Sequence, residues 1–197
     1  MTICVNTKKM GKEKSSKRDQ IVAAACKVFA KYGFRRVTMA ELAEAAQMSR
    51  PALYLEFESK EDIFKAVVDS MSRQNLDEIR QGLPRLKSLD EKLEFAFELW
   101  FVRPFELVQA SPDAADIFDS VKEFAFEVIS KAAAEFEDLL VEIIDPTIRK
   151  QKSMKLSSRK VARMMRASAK GFKNDAKNAK ELRELISDMR QIVLASF

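Results

Sequence analysis

The chain has 197 residues, 47% of them apolar and 33% charged, which excludes a disordered chain and indicates a globular protein with ample material for a core. Four glycines and no histidine exclude a glycine-rich phosphate loop, a histidine-ligated metal and a nucleophile activated by histidine. No apolar run approaches the length of a membrane span, and Met1–Val5 is too short and too soon followed by lysines to be a signal peptide.

The net charge of +5 conceals three segments of different charge. Residues 1–60 carry a net +6, residues 61–148 a net −11 and residues 149–197 a net +10. The basic head suits a polyanion as partner. The acidic middle and the basic tail indicate complementary surfaces that pack together or across a dimer, and a second nucleic-acid site in the tail is the alternative.

Lysines dominate residues 1–17, which show no apolar periodicity and are expected to form a basic, flexible arm. Such an arm either keeps the protein soluble or follows DNA phosphates into a minor groove. The helical spacing of apolar residues that starts at Ile21 then predicts a scaffold helix over residues 18–32, ended by Gly33. Three apolar side chains of the next segment are expected to share one small core with it: Leu42, Leu53 and Phe57.

Three helix starts follow one another between residues 38 and 60. Thr38 with Glu41 three residues later forms a capping box, in which each side chain accepts from the other residue's amide. Ser49 is a second N-cap, and Pro51 lies in the first helical turn, where its missing amide proton costs little. Ser59 caps a third helix. The first two helices are too short to be stable alone and need the preceding helix as a scaffold.

Four features of this stretch occur at a specific spacing: Thr38–Ala43, Ser49–Tyr54, Phe57 and Ser59–Glu61. In these features the chain resembles the N-terminal DNA-binding domain of the TetR family of bacterial transcriptional regulators. The resemblance covers about residues 21–64.

The resemblance implies an all-α fold of about nine helices. A three-helix, homeodomain-like helix-turn-helix head is expected over residues 18–65, and an α-helical effector-binding and dimerisation domain over residues 66–197.

The helix that starts at Ser49 is the candidate for the major groove, whose width admits one α-helix. Arg50 and Ala52 are the best candidates for base edges, because a guanidinium can bind guanine acceptors and a methyl group can pack on thymine. The resemblance implies phosphate contacts for Tyr54 and Lys60, and their chemistry suits an anion. The full set of candidate DNA-binding residues is Arg36, Thr38, Met39, Ser49, Arg50, Pro51, Ala52, Tyr54, Leu55 and Lys60.

Three positions depart from the family pattern, which often has Gly in the turn and an aromatic residue or His after the Tyr. Gln47 occupies the turn without glycine's freedom at positive φ. Leu55 and Glu56 follow Tyr54, and Glu56 places a negative charge where phosphates would be expected. Without the resemblance, ordinary packing of Tyr54 and Met39 and a solvated Arg50 are alternatives of equal weight to DNA contact.

Beyond the head, four helical segments are expected: Ser59 to about Gln81, Leu89 to Gln109, Pro112 through Phe118, and Val121 to Ile144. A basic loop over residues 150–158 and two C-terminal helices are expected to follow. Pro104 should kink the second of these helices by removing a backbone hydrogen bond, and Asp145–Pro146 should break the fourth. The helix expected from Ser59 to about Gln81 would link the head mechanically to the distal domain.

The distal helices are rich in Phe, Trp and Met, which are adaptable apolar residues. The resemblance implies an effector pocket among them. Arg103 and Glu106, on either side of Pro104, would be polar anchors for a charged ligand. The candidate ligand-binding residues are Phe97, Trp100, Phe101, Arg103, Phe105, Phe118 and Met165. The alternative is that aromatic residues at helical spacing simply form the core.

The last two helices are expected to pair across a two-fold axis into a four-helix bundle, as they do in much of the family. The candidate dimer-interface residues are Val161, Met165, Phe172, Leu182, Leu185, Ile186, Met189 and Val193. A single recognition helix reads only a few base pairs, so two heads on a symmetric dimer would bind a palindromic operator.

The sequence thus predicts a homodimeric, ligand-responsive transcriptional regulator, a repressor released from its DNA operator by a small-molecule effector. No catalytic residue, cofactor, metal or membrane partner is expected. Cys4 and Cys26 form no metal or redox spacing, so a reducing cytoplasm is the expected compartment. The alternatives are an all-α interaction module and a non-specific DNA-binding protein without ligand response; an enzyme fits the sequence poorly.

Overall fold

The protein is all-α, as the sequence predicts. A computed structural model describes residues 16–111, 113–151 and 155–196, and these contain helices and turns but no strand. The described ranges do not include residues 1–15 of the expected arm over residues 1–17. They also do not include Pro112 or residues 152–154 of the expected loop. Within the described ranges, every helix is too short or too polar to cross a lipid bilayer.

The helices are α1 (Lys17–Tyr32), α2 (Met39–Ala45), α3 (Arg50–Glu56), α4 (Lys60–Gly82), α5 (Leu89–Phe97), α6 (Arg103–Gln109), α7 (Ala114–Phe124), α8 (Phe126–Ile148), α9 (Ser158–Asp175) and α10 (Ala179–Ala195). A 3₁₀ turn, Leu83–Arg85, follows α4, and a π-helical turn, Glu98–Val102, joins α5 to α6. Counting α5, the π turn and α6 as one continuous helix gives nine helices in the described residues.

The chain divides into two compact units. The first takes its described residues from Met1–Gln74 and Leu107–Ser130, and the second from Asn75–Glu106 and Lys131–Phe197. The expected functional boundary after residue 65 stays a prediction.

One apolar core holds the first unit together. Leu42, Leu53 and Phe57 are buried in it as predicted, at 0%, 0% and 3% exposure, beside Ile21 and Phe29 of α1. Full burial of such side chains is worth about 1.5–3 kcal/mol each relative to exposure, so this cluster can fix helices that would not form alone. The C-terminal end of α7 reaches the same core, since Val121, Phe124 and Ala125 pack on it.

The boundary between α7 and α8 differs from the prediction. The sequence predicts a short segment through Phe118 and a helix from Val121 to Ile144, but α7 continues to Phe124 and α8 begins at Phe126. The chain bends at Ala125, whose φ is −118° and ψ 15°, and this residue is buried. Burial of the end of α7 against the first unit's core outweighs the continuous apolar periodicity that suggests one helix.

The predicted break at Asp145–Pro146 is also wrong, because α8 runs through Pro146 to Ile148. The proline lies in the last turn, where few backbone hydrogen bonds follow it. The amide of Arg149 still donates to the Asp145 carbonyl at 3.0 Å, and Ile148 stays buried.

Pro104 lies two residues after the end of the π-helical turn. In this turn the amide of Arg103 donates to the Glu98 carbonyl, five residues back. A proline has no amide to offer the carbonyl four residues before it, and its ring crowds that carbonyl. The wider turn is a recognised way for a helix to accommodate such an irregularity.

Candidate nucleic-acid interface

The N-terminus of α2 is held by the predicted capping box. The Glu41 amide donates to Thr38 Oγ1 at 3.3 Å, and the Thr38 amide donates to Glu41 Oε2 at 2.7 Å. This bond from the Thr38 amide is the main reason why the pKa of Glu41 is lower than its usual value, and the charges of Arg36 and Lys60 add to the effect. The box is exposed, so Thr38 is available on the surface.

The turn between α2 and α3 uses Gln47 in the left-handed region, with φ of +56°. The amide of Met48 then returns to the Ala43 carbonyl at 3.0 Å. Glutamine thus takes the conformation that glycine would adopt more freely, at a cost of about 1–2 kcal/mol. The departure from the family pattern therefore costs energy in the turn.

Helix α3 is short and is anchored at both ends. Ser49 Oγ accepts the Ala52 amide at 3.3 Å, and the Phe57 amide donates to the Leu53 carbonyl. Leu53 is fully buried and fixes the inner face. The outer face carries exposed Arg50, Pro51, Tyr54 and Leu55, and the exposed fractions of Tyr54 and Leu55 are 53% and 86%. Ala52 is half-buried beside them.

Arg18 of α1 supports the C-terminal end of α3, a role that was not among the sequence predictions. Its Nη1 donates to the Glu56 carbonyl at 2.7 Å, and its guanidinium lies 3.9 Å from the centroid of the Phe57 ring. The contact satisfies a terminal carbonyl of α3 and adds a cation–π interaction. Its partner is 38 residues away in sequence, so no local pattern reveals it.

Lys60, a candidate phosphate contact, is engaged within the protein. Its Nζ donates to the carbonyls of Phe34 at 3.0 Å and Arg35 at 3.1 Å, and lies 4.4 Å from the centroid of the Phe34 ring. Two of its three protons are therefore used by the loop between α1 and α2. Its contact with phosphate stays a prediction.

The remaining DNA-binding candidates differ in exposure. Arg36 is exposed, with its guanidinium 6.0 Å from the centroid of the Tyr32 ring. Met39 is half-buried and packs against the core of the first unit, while Ser49 is exposed. The exposed candidates therefore lie on α3, at its N-cap and in the residues that lead into α2, whereas Met39 is half-buried.

The aromatic ligand-binding candidates of the second unit pack closely among themselves. Trp100 stacks on Phe136 of α8 at 4.8 Å between ring centroids, and Phe97 and Phe101 contact the same ring at 5.7 Å and 5.9 Å. Phe105 is buried too. This arrangement favours the alternative that these residues form core, and their role in a pocket stays a prediction.

The other three ligand-binding candidates have different surroundings. Arg103 donates to both carboxylate oxygens of Glu78, at 3.0 Å and 2.8 Å. Met165 is buried on α9, and Phe118 is half-buried on α7 in the first unit.

A groove of about 260 Å³ in the second unit is lined by α5, the π turn and α10. The lining residues are Glu94, Glu98, Val102, Arg183, Glu184, Ile186, Ser187 and Arg190. Its charges largely neutralise each other: Arg183 binds both oxygens of Glu98 and also Glu106, which raises the pKa of Arg183. Arg190 is buried, and its Nη1 lies 2.9 Å from Asp90. Within the described ranges, no three acidic or thiol side chains come together as a metal site.

The dimer-interface candidates divide into two groups. Five are buried within the protomer: Val161, Met165, Leu182, Ile186 and Met189. The other three are half-buried: Phe172, Leu185 and Val193. The large apolar side chains that these two helices expose are instead Met164 at 59% and Ile192 at 72%, neither of which belongs to the predicted interface set.

Residues 21–67 match the family model of bacterial regulatory proteins, tetR family. Over 68 residues the chain is 40% identical to the HTH-type transcriptional repressor ComR of Escherichia coli K12, a match covering 34% of this chain and 32% of ComR. Over 79 residues it is 35% identical to the A-factor receptor protein of Streptomyces griseus, covering 40% of this chain and 28% of that protein. The chain thus spans less than a third of the length of these two relatives.

The fold is shared with a solved structure over nearly the whole chain. The fatty acid degradation regulator FadR from Bacillus halodurans superimposes with a TM-score of 0.66 at 21% identity, over 93% of this chain and 97% of that one. The helix-turn-helix geometry and the family-model match together show that residues 21–67 form a domain of the type found in bacterial regulatory proteins of the tetR family, and the superposition shows that the chain as a whole shares the fold of the Bacillus halodurans protein.

Proposed function

We propose that the protein is a sequence-specific DNA-binding transcriptional regulator, a repressor released from a palindromic operator by a small-molecule effector. The observation that carries the proposal is the outer face of α3. This helix is capped by Ser49, anchored by the buried Leu53 and supported by Arg18, while Arg50, Pro51, Tyr54 and Leu55 project from it, exposed to solvent.

Charge and dimensions fit this role. A single helix with exposed side chains fits the major groove, and residues 1–60 carry a net charge of +6. Arg50 would read a base edge, and Tyr54 would hold a phosphate. The relative ComR is a repressor by name, which supports repression here.

The response to an effector rests on a different kind of support. The relative from Streptomyces griseus is by name a receptor for A-factor, and the family assignment makes a comparable response the simplest proposal for this chain. An effector changes operator occupancy only if it binds the DNA-incompetent form more tightly than the competent one. The second unit is the proposed place of binding.

We include a homodimer in the proposal because one α3 helix contacts too few base pairs for a unique operator. A two-fold dimer presents two such helices and so reads twice as many base pairs. No enzymatic role is proposed, since the relatives are transcriptional regulators and the chain has no histidine.

The test is a selection of bound duplexes from a randomised pool, followed by affinity measurements at several salt concentrations. The expected outcome is a palindromic consensus, bound with a steep salt dependence that corresponds to about 6–10 neutralised phosphates per dimer. Enrichment of no consensus would favour the non-specific DNA-binding protein, and a nearly flat salt dependence would favour the interaction module. Small molecules that raise the melting temperature are then tested for release of the selected duplex.

A further inference from the structure

The loop that joins α1 to α2 is held from two sides by side chains of other elements. Gly33 ends α1 with φ of +75°, and the chain then passes through Phe34 and Arg35 toward the N-cap of α2. Lys60 at the start of α4 binds the carbonyls of Phe34 and Arg35. The amides of the same two residues need an acceptor of their own.

Asp116 of α7 supplies that acceptor. Its Oδ2 accepts the amide of Phe34 at 2.6 Å and the amide of Arg35 at 2.8 Å. Its Oδ1 accepts from Ser120 Oγ at 3.3 Å and lies 3.2 Å from Arg35 Nε. Both carboxylate oxygens are therefore committed, and only 18% of the side chain is exposed.

Gly33 makes this close approach possible. A Cβ atom added at this residue would lie 2.7 Å from Asp116 Oδ2 and 2.7 Å from the Cβ of Asp113, closer than such atoms pack. The positive φ of Gly33 turns the next two amides toward α7, and a residue with a side chain would be strained in this conformation. The missing side chain of Gly33 and its positive φ thus both permit the contact between Asp116 and the amides of Phe34 and Arg35.

Of the bonds to Asp116, those from the backbone amides matter most. The Arg35 side chain is 68% exposed, so its ion pairs with Asp116 and with Glu123 are weakened by solvent. Charge-assisted bonds from two amides to one partly buried carboxylate are stronger and fix the path of the loop. That path leads directly to Thr38, which caps α2.

We propose that Asp116 is a positioning residue for operator binding: from α7, its carboxylate holds the α1–α2 loop in the geometry that orients α2 and α3 for DNA. The inference rests on the proposed function. Asp116 itself does not touch DNA, because a carboxylate repels phosphate and both of its oxygens are already bound within the protein.

The experiment compares Asp116→Ala and Asp116→Asn with Asp119→Ala and Asp119→Asn. Asp119 lies on the same helix but is 62% exposed and pairs only with Lys122, at 3.6 Å, among the described residues, so its variants match the change in charge. Operator affinity is measured against salt concentration, and the DNA-binding-competent fraction is determined by stoichiometric titration. Exchange of the Phe34 and Arg35 amides is followed by nuclear magnetic resonance.

We expect Asp116→Ala to raise the operator Kd about tenfold, with a smaller rise for Asp116→Asn, which keeps one acceptor oxygen. The salt slope and the competent fraction should stay at wild-type values, because the protein still neutralises the same phosphates. The two amides should exchange faster, while amides in the core of α1 should not. Both Asp119 variants should bind within about twofold of the wild type.

Three results would overturn the inference: an unchanged Kd, a changed salt slope, or a loss confined to the competent fraction, which would indicate a purely structural role. Failure of the proposed function gives a different pattern, in which the wild-type protein itself selects no duplex. In that case the exchange of the two amides still decides whether Asp116 holds the loop.

Discussion

Arg50 and Lys60 are both basic candidates for DNA contact, but their surroundings differ. Arg50 is exposed at the first position of α3 and forms no ion pair with any residue that the structure describes. Lys60 is half-buried and binds two carbonyls of the α1–α2 loop. A free guanidinium on a recognition helix can bind a base edge, whereas an ammonium bound to the loop has one proton left for phosphate.

Replacing Arg50 by Ala should raise the free energy of binding to the selected operator by about 1–3 kcal/mol and relax the preference at one base pair per half-site. The measurement is a competition assay against operators that differ at each position. Lys60→Ala is the comparison: it should weaken binding to all duplexes alike, with a salt slope that falls by about one for each phosphate that the lysine no longer neutralises. Unchanged base preferences for Arg50→Ala would show that another face of α3 enters the groove.

The turn between α2 and α3 contains one residue in a backbone conformation that costs energy. Gln47 adopts φ of +56° although it is not glycine, and the bond from the Met48 amide to the Ala43 carbonyl closes the turn. The buried side chains Leu42 and Leu53, on either side of the turn, fix the two helices. Packing therefore compensates for the local strain.

Gln47→Gly should stabilise the protein by up to about 1.5 kcal/mol. Relief of the left-handed conformation gains about 1–2 kcal/mol, and the greater entropy of glycine in the unfolded chain costs about 0.5–1 kcal/mol. Gln47→Val should destabilise the protein, because a β-branched side chain tolerates positive φ poorly. Urea denaturation of the three proteins measures both changes, and equal stabilities would mean that the turn does not hold this φ in solution.

The proposed dimer needs a surface that the protomer does not use for its own core. Val161 and Met165 of α9 are buried, and so are Leu182 and Ile186 of α10, so these side chains stabilise the protomer first. The exposed side of α9 combines Met164 with small residues, including Gly171, at which an added Cβ would meet no atom within 4 Å. On α10 the exposed apolar residue is Ile192. We therefore propose that the interface is centred on these exposed residues.

Met164→Asp and Ile192→Asp should each shift the protein from dimer to monomer at micromolar concentration, because a charge buried in an interface without a partner is costly. Phe126→Asp is the matched control: Phe126 is 60% exposed on α8, in the first unit, and its replacement should leave the dimer intact. Sedimentation velocity measures the distribution. A wild-type monomer, or dimers in all three variants, would contradict the proposed interface.

Signals that extend over a few residues determine the starts of α2 and α3 and the end of α1, and the sequence predicts these three boundaries correctly. The capping box of Thr38 and Glu41, the cap at Ser49 and the stop at Gly33 each depend on neighbours within four residues. Apolar periodicity likewise predicts the buried Leu42 and Leu53. The all-α fold and the exposed face of α3 follow from these local rules.

Contacts between distant residues decide the rest. Asp116 meets the amide of Phe34 across 82 positions of the chain, and nothing in either sequence neighbourhood indicates the pairing. The burial of side chains on α9 and α10 is likewise not predictable from sequence. Apolar periodicity shows which residues share a helix face, but it does not show whether another helix covers that face. The path of α8 through Pro146 depends in the same way on packing near the helix end. Local chemistry thus sets the helices and their caps, and tertiary packing selects which of their faces remain free to bind.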